Sequence, residues 1–396
     1  MKYDTIINND NMPQNLAQRY VEIRWHTLEI CKPLSTEDYV VQPISDVSPP
    51  KWHLGHTTWF FETFILLPYL PEYKVFNPQF NFVFNSYYET VGARVIRTDR
   101  GNLSRPSVSE VYEYRKYVDE YMDRYLRGSS YVADTASLIQ LGLNHEQQHQ
   151  ELLLTDIKYI LGHNPLFPPY EENTTQKYTD RAALNMIGIE EGLYEIGYNG
   201  SDFCFDNELK RHKVYLNNFE IADRLVTNRE YLQFMQEGGY NDFRYWHSEG
   251  WEWVKQQKVK APMYWYFLDG KWKCYGFSGL TAIDWNNYVC HINFFEAAAF
   301  AAWKGMRLPT EAEWEVASDH FNWGKRWEWT NSAYLPYPGY KKEAGAVGEY
   351  NGKFMVNQMV LRGASEATPV GHSRNTYRNF FQTHLKWQFT GIRLAR

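Results

Sequence analysis

The sequence of 396 residues contains no run of eighteen apolar residues, so it offers no candidate for a transmembrane helix. Its first fifteen residues are polar and do not resemble a signal peptide. No block of lysine or arginine forms a basic arm, and a net charge of -6 with a pI near 6.1 does not favour nucleic acid as a partner. We therefore expect a cytoplasmic protein that binds neither membranes nor nucleic acid.

Cysteine is scarce, with 4 residues in the whole chain and no CxxC spacing among them. This pattern predicts free, reduced thiols and excludes a disulfide framework or a cysteine zinc site. Aromatic residues are abundant by contrast, at 17% of the chain. Such a fraction suits aromatic cores or an aromatic-lined pocket.

One segment, residues 141–159 (LGLNHEQQHQELLLTDIKY), has the apolar spacing of a helix and carries His145 and His149. Four residues are just over one helical turn, so both imidazoles lie on one face and can bind one divalent metal. Glu151 lies about 200° around the helix from His149, which argues against it as a third ligand. Gln148 lies only about 60° from His145 and can border the same pocket.

A histidine pair of this spacing also occurs on helices that bind no metal, so a third histidine is needed. The segment WHLGH, on a helix predicted at 51–67, offers His53 and His56. Both could face the interior of a helical bundle, and the spacing alone does not choose between them.

The first part of the chain predicts four helices, and the second part predicts short strands and isolated helices. We expect an antiparallel four-helix bundle with one long connection between its second and third helices. The second part reads as an α+β domain. The predicted domains are residues 1–165, a linker at 166–182, and residues 183–396. The predicted elements are helices at 14–31, 51–67 (with Ser48 as its cap), from Ser107 or Ser109 to 126, from 135, 226–237 and 294–304, a strand at 192–197, and a hairpin at 264–275.

Several motifs resemble a known family. SPPKWHLGHTTWFFETF and NHEQQHQE are similar to the DinB-type helical domain of the iron(II) sulfoxide synthases of ergothioneine and ovothiol biosynthesis. GLYEIG, VTNREYLQFMQEGGY, RLPTEAEWE and RNTYRNFFQTHLKWQFTGIRLA resemble the formylglycine-generating-enzyme fold, a C-type-lectin-like α+β domain, that follows it in those proteins. The resemblance covers about residues 15–396 and implies both folds.

The resemblance implies that His56, His145 and His149 bind Fe(II), with His53 as a supporting or packing residue. Three protein ligands leave three octahedral positions, which O2 and a thiolate need together. Zinc also binds three imidazoles, so iron follows from the resemblance and not from the residues themselves.

The resemblance also implies the substrates: hercynine (Nα-trimethylhistidine), cysteine or γ-glutamylcysteine, and O2. The residues matched to hercynine binding are Gln148, Asn379, Phe380 and Phe381, and those matched to the carboxylate of the thiol substrate are Arg97 and Arg100. The alternatives are core packing for the two phenylalanines and solvated surface positions for the two arginines.

Tyr87 and Tyr88 are similar to the paired active-site tyrosines of one branch of this family. Another branch supplies a tyrosine from its second domain, and Tyr334, Tyr337 and Tyr340 lie in the comparable stretch NSAYLPYPGY. Turn packing around the prolines of that stretch is the alternative for these three.

Two departures shape the expected function. No cysteine follows Cys290, so the second domain should serve as a substrate lid or wall and not perform the thiol chemistry of formylglycine-generating enzymes. No methyltransferase domain follows, which favours ergothioneine over ovothiol. The rival functions are coupling of a selenosugar to hercynine, coupling of cysteine to histidine, a zinc hydrolase or transferase, and a non-enzymatic binding module. The thiol donor and the oligomeric state stay open.

Overall fold

The computed structural model describes residues 12–171, 183–342 and 351–396. The chain divides into two compact units, Met1–Leu161 and Gly162–Arg396. Residues 172–182 of the predicted linker lie outside the described residues, and residues 166–171 belong to the second unit. Among the residues described, no helix combines the length and apolar character needed to cross a bilayer.

The first unit is built from four long helices at the predicted places. They are α1 (Met12–Cys31), α2 (Pro50–Phe61), α3 (Val108–Arg127) and α4 (Ala136–Gly162). After α2 the chain stays helical through a π-helical turn, Glu62–Leu66, and a short turn, Leu67–Tyr69.

The pairing of side chains gives the directions of the helices. Helices α1 and α3 run antiparallel, because Tyr20 pairs with Asp119 and Arg24 with Arg115. Helices α3 and α4 are antiparallel by the pairs Arg115–Glu146 and Tyr125–Thr135, the latter just before α4. Helices α2 and α4 are antiparallel by the pairs His53–His149 and Phe60–His145. Helices α2 and α3 therefore run in the same direction. The predicted long connection between them, which contains a short helix at Phe80–Phe84, is confirmed.

The cap of α3 is one of the two serines predicted to start this helix, whereas the cap of α2 is not the predicted residue. Ser107 caps α3, since its hydroxyl accepts from the Glu110 N–H and the Glu110 carboxylate accepts from the Ser107 N–H. The prediction of Ser48 as the cap of α2 is wrong, because Pro49 holds that position. The N–H of Ser48 instead donates to Asp156 on α4.

A buried ion network joins three of these helices one residue from His145. The Glu146 carboxylate accepts from Arg24 on α1 at 3.0 Å and from Arg115 on α3 at 2.5 Å. Burial alone would raise the pKa of Glu146, but the two arginines outweigh it and lower that pKa to about 2. The network holds α4 in register with its neighbours because removing one partner would leave a buried charge uncompensated.

The second unit is an α+β structure of several small sheets. Its strands are β1 (Met186–Ile189), β2 (Gly192–Ile196), β3 (His212–Leu216), β4 (Phe219–Ala222), β5 (Trp265–Leu268), β6 (Lys271–Gly276), β7 (Gly279–Ala282), β8 (Trp327–Ala333), β9 (Met359–Gly363), β10 (Asn379–Phe381) and β11 (Thr390–Gly391). They form the sheets β1-β4, β2-β3, β5-β6-β7 and β10-β9-β8-β11. The helices are α5 (Asn228–Gln236), α6 (Ser248–Gln257), α7 (Phe294–Trp303) and α8 (Glu311–Ala317).

Local sequence signals account for the hairpin and two helices of this unit. The predicted hairpin is β5-β6, and its turn residues Asp269 and Gly270 have φ values of 52° and 72°. Positive φ at both turn residues is the geometry that Asp-Gly favours. The predicted helices at 226–237 and 294–304 are α5 and α7, capped by Thr227 and Asn293. The four-stranded sheet places β10, with Asn379, Phe380 and Phe381, at its edge.

Candidate metal centre

Three buried histidines of the first unit converge. His56 comes from α2, and His145 and His149 come from α4. One nitrogen of each ring lies within 4.8 Å of the corresponding nitrogens of the other two. The ring centroid of His56 lies 5.0 Å from that of His145 and 4.8 Å from that of His149, and the last two are 4.6 Å apart. This is the set of residues that the family resemblance implied, and their nitrogens are close enough to share one metal ion.

The hydrogen bonding of His56 leaves one nitrogen available to a metal. Its Nδ1 lies 2.7 Å from the backbone carbonyl oxygen of Phe84, so this nitrogen carries the proton and donates. Its Nε2 therefore has a lone pair, and it has no hydrogen-bond partner among the described residues. A buried lone pair without a partner is costly unless a ligand satisfies it. His56 thus fits a metal bound through Nε2.

The structure separates His53 from the metal-capable group, which among the described residues contains His56, His145 and His149. Nδ1 of His53 lies 2.8 Å from Nδ1 of His149, and Nε2 lies 3.0 Å from the carboxylate of Asp156. His53 therefore contacts a member of the group from outside it.

Two side chains of α4 next to His149 in the sequence were also discussed as site residues. Glu151, expected to point away, is half-buried and is not in the metal-capable group of described residues. Gln148 is half-buried beside His149.

Burial keeps the three imidazoles neutral at physiological pH. It lowers the pKa of His145 from 6.5 to about 4. Burial, followed by the repulsion of neighbouring histidines, holds the pKa of His56 and of His149 well below 6.5. Neutral imidazole is the form that binds metals, because only it has a lone pair on nitrogen.

Two tryptophans of α2 stack on the His56 ring. Trp52 lies 4.6 Å away with an interplanar angle of 13°, and Trp59 lies 5.6 Å away at 16°. These contacts hold the plane of the imidazole and exclude water from its faces. Neither tryptophan was identified from the sequence, although they stand four residues before and three residues after His56 on the same helix.

Arg100 and Arg97 occupy different environments. The guanidinium of Arg100 is buried, lies 3.3 Å from the centroid of the Trp52 ring, and donates to the hydroxyls of Ser48 at 2.9 Å and Ser86 at 3.2 Å. Burial and the nearby Arg97 charge hold the pKa of Arg100 well below its usual value. Within the described part of the chain, Arg100 has no carboxylate partner. Arg97 is exposed and donates to a backbone carbonyl at 2.6 Å.

The predicted tyrosine pair lies beyond Trp59. Tyr88 is buried, with its ring centroid 5.5 Å from Trp59, and Tyr87 is half-buried, 5.2 Å from Tyr88. Trp59 also stacks on His56, so a single side chain, Trp59, contacts both Tyr88 and the histidine group.

The remaining predicted residues belong to the second unit. Asn379, Phe380 and Phe381 are half-buried on β10. Phe380 stacks on Tyr334 at 4.1 Å and 11°, which covers one face of its ring, and Phe381 meets Trp387 edge-on at 5.5 Å. The hydroxyls of the three alternative tyrosines are hydrogen-bonded inside this unit, at 2.8 to 2.9 Å: Tyr334 with Asn207, Tyr337 with Arg362, and Tyr340 with Asp206.

Asp156 is a further residue beside the site that the sequence interpretation missed. It follows His149 by seven residues on α4, which is two helical turns, so it returns to the same face. A carboxylate on the histidine face was therefore a usable signal.

Comparisons with known proteins agree with this two-part architecture. Residues 19–153 match the DinB superfamily, and residues 171–326 match the sulfatase-modifying factor enzyme 1-like domain. The hercynine oxygenase of Mycolicibacterium smegmatis is 28% identical over 309 residues, which is 64% of this chain and 70% of that protein. The hercynine oxygenase of Mycobacterium tuberculosis is 28% identical over 303 residues, again 64% and 70%.

Two further similarities cover smaller parts of the chain. The formylglycine-generating enzyme of Thermomonospora curvata is 30% identical over 181 residues, or 41% of this chain and 58% of that protein. Among solved structures, that of PvdO from Pseudomonas aeruginosa covers 53% of this chain and is itself covered to 93%, at 16% identity and a TM-score of 0.33. The chain therefore combines a DinB-superfamily domain with a sulfatase-modifying-factor-like domain, and its similarity to two hercynine oxygenases indicates an oxygen-dependent oxidoreductase.

Proposed function

We propose that this chain uses iron(II) and O2 to join the sulfur of cysteine or γ-glutamylcysteine to the imidazole carbon of hercynine, leaving a sulfoxide. In this reaction one C–H and one S–H bond are replaced by a C–S bond. One oxygen atom goes to sulfur and the other leaves as water, so the four electrons taken up by O2 are balanced. The buried group of three neutral histidines is the observation that carries this proposal.

His56, His145 and His149 are the proposed iron ligands. Nε2 of His56, which no described residue contacts by a hydrogen bond, and the all-nitrogen donor set fit a first-row transition metal. Bound iron(II) would supply open coordination positions for O2 and for the thiolate. The choice of iron rests on the similarity to the hercynine oxygenases, since zinc suits the same donors.

Arg100 is proposed to hold the carboxylate of the thiol substrate. The guanidinium of Arg100 is buried and has no carboxylate partner in the described ranges, which favours an anionic ligand because a bidentate ion pair offsets the cost of burial. Stacking on Trp52 fixes its orientation, and Trp52 stacks in turn on His56. Arg97, being exposed, is proposed to attract the same carboxylate at the entrance.

Hercynine is proposed to bind to Asn379, Phe380, Phe381 and Gln148. Its quaternary ammonium needs an aromatic face, and one face of Phe380 is already covered by Tyr334. Phe381 is therefore the stronger candidate for the cation–π contact. Replacing Phe381 by Leu should weaken hercynine binding by about three- to thirtyfold, and it should leave the weaker binding of unmethylated histidine nearly unchanged.

Tyr88 is proposed as the proton donor during coupling, and Tyr87 is proposed to position the substrates. The burial of Tyr88 behind Trp59 gives its phenol a dry environment close to the histidine group. General acid catalysis by a phenol is effective at physiological pH because the neutral form predominates.

Metal dependence separates this function from its rivals. The metal-free protein would be loaded anaerobically with Fe(II) or with Zn(II), and O2 uptake would be measured with hercynine and each thiol. We expect uptake only with Fe(II), loss of uptake in His56→Ala, and retention in Glu151→Ala as the matched control. Turnover with Zn(II), or loss of metal in Glu151→Ala but not in His56→Ala, would refute the proposal. A selenosugar and unmethylated histidine serve as alternative substrates in the same assay.

A further inference from the structure

A line of buried groups runs from Asp156 to the metal-capable histidines. The Asp156 carboxylate lies 3.0 Å from Nε2 of His53, and Nδ1 of His53 lies 2.8 Å from Nδ1 of His149. The exposed fractions of Asp156, His53 and His149 are 2%, 2% and 8%. At this depth water does not compete for these hydrogen bonds, so the groups themselves decide where the protons lie.

The carboxylate determines each proton position along this line. A carboxylate only accepts, so Nε2 of His53 must carry a proton and donate to Asp156. Nδ1 of neutral His53 then has a lone pair and accepts the proton of His149 Nδ1. His149 is thereby left with its lone pair on Nε2. With the opposite arrangement, the Nε2 of His149 would carry the proton and could not bind a metal.

The same carboxylate oxygen also supports the other side of the site. It accepts from the backbone N–H of Ser48 at 2.8 Å, and the hydroxyl of Ser48 accepts from Nη1 of Arg100 at 2.9 Å. Ser48 immediately precedes the cap of α2, the helix that carries His56. Asp156 is therefore linked to the proposed metal ligand His149 through His53, and to the proposed carboxylate-binding Arg100 through Ser48.

We propose that Asp156 and His53 are positioning residues that hold His149 in its metal-binding tautomer, and that Asp156 also positions Arg100 through Ser48. This inference rests on the proposed function, because it takes His149 as a metal ligand. A carboxylate or carbonyl beside a ligand histidine commonly raises metal affinity by 10- to 100-fold. Here the carboxylate acts through an interposed histidine.

The test measures metal binding without turnover. Metal-free protein is titrated with Co(II) under anaerobic conditions, and the visible absorption spectrum reports both affinity and coordination geometry. We expect His53→Leu and Asp156→Leu to bind Co(II) about 10- to 100-fold more weakly, with altered spectra. Asp156→Asn keeps an acceptor for both donors and should fall between these variants and the unchanged protein. Thr155→Val, which removes a buried hydroxyl one residue away, is the matched control and should bind normally.

His149→Ala distinguishes failure of this inference from failure of the proposed function. If His149→Ala loses Co(II) affinity while His53→Leu and Asp156→Asn keep the affinity and spectrum of the unchanged protein, the positioning role is refuted. If His149→Ala binds Co(II) normally, the proposed metal site is refuted and this inference with it. Circular dichroism of each metal-free variant identifies any that does not fold, and Asp156→Asn provides the isosteric test in that event.

A second readout addresses the link to Arg100. With the iron-loaded enzyme, Asp156→Leu should raise the KM for the thiol severalfold, whereas His53→Leu should lower kcat without that rise in KM. An equal KM in Asp156→Leu and His53→Leu would refute the link through Ser48.

Discussion

At the scale of single residues, Arg100 is the group whose surroundings differ most from those of an ordinary arginine. It is buried, it stacks on Trp52, and its described partners are two serine hydroxyls. Replacing Arg100 by Leu should raise the KM for the thiol substrate about thirtyfold or more, because a desolvated charge contact is worth at least about 2 kcal/mol. Steady-state kinetics with the thiol and hercynine varied separately would measure this.

Two further arginines provide the comparison. Exposed Arg97→Leu should raise the same KM by only a few fold, and exposed Arg105→Leu should leave it unchanged. A larger rise in the KM for hercynine than for the thiol in Arg100→Leu would reverse the assignment of the two substrate sites.

A variant of Tyr88 tests which group donates the proton that directs the reaction to coupling. An oxygen species beside a bound thiolate can oxidise the sulfur alone, giving a sulfinic acid, or permit coupling to the imidazole carbon. Tyr88→Phe removes only the phenolic hydroxyl, so iron and both substrates should still bind while coupling slows by about 10²–10⁴-fold. The share of sulfinic acid, measured by mass spectrometry, should rise. Tyr87→Phe is the matched variant, and an unchanged product ratio in both would assign the proton to another group.

At the scale of elements, α2 packs closely on the short helix Phe80–Phe84, and this packing places the Phe84 carbonyl beside the metal-site residue His56. A Cβ added at Gly55 would overlap the ring of Phe84, whose carbonyl oxygen accepts the proton of His56 Nδ1. Gly55→Ala should therefore destabilise the fold by about 1–3 kcal/mol and also weaken Co(II) binding. Urea unfolding and Co(II) titration measure the two effects. Gly188→Ala, where no atom lies within 4 Å, should change neither, and normal Co(II) affinity in Gly55→Ala would contradict the role of the Phe84 carbonyl.

Helix α4 should make the metal-free protein sensitive to acid. Burial lowers the pKa of His145 from 6.5 to about 4, so the unfolded chain binds its proton more readily. The stability this histidine contributes is complete above pH 6.5 and is lost as pH falls toward 4. Between pH 7 and pH 5 it should cost about 2 kcal/mol of unfolding free energy. Urea unfolding at pH 7 and pH 5 measures this change in unfolding free energy. The change should be smaller in His145→Asn than in the unchanged protein, and an equal change in both would contradict the prediction.

The elements also show what the sequence could predict. The four helices, the long connection before α3, and the hairpin at Asp269-Gly270 followed from periodicity, capping residues and turn chemistry, which act over a few neighbouring residues. The cap of α2 did not follow, because the N–H of Ser48 is satisfied by Asp156, which lies more than one hundred positions away in the sequence. The residues alone could not separate His56 from His53, and only the resemblance did so, because the difference between them lies in tertiary contacts with the carbonyl of Phe84 and the carboxylate of Asp156.

At the scale of the whole molecule, the two units contribute different chemistry to the proposed reaction. The first unit contains the histidine group, Arg100 and the tyrosine pair, and the second contains the residues proposed for the hercynine ammonium. Burial raises the pKa of the Cys31 thiol to about 12 and that of the Cys204 thiol to about 11, so neither should react as a thiolate. The sulfur that reacts is therefore expected to come from a substrate.

The most direct test of the central claim is the stoichiometry and product mass of a reaction started by O2. The protein would be loaded with one equivalent of Fe(II) under anaerobic conditions, mixed with hercynine and either cysteine or γ-glutamylcysteine, and exposed to measured O2. The account predicts one O2 consumed per product, whose mass is that of both substrates joined with the loss of two hydrogens and the gain of one oxygen. O2 uptake that does not depend on hercynine, or a product that contains only one of the two substrates, would contradict it.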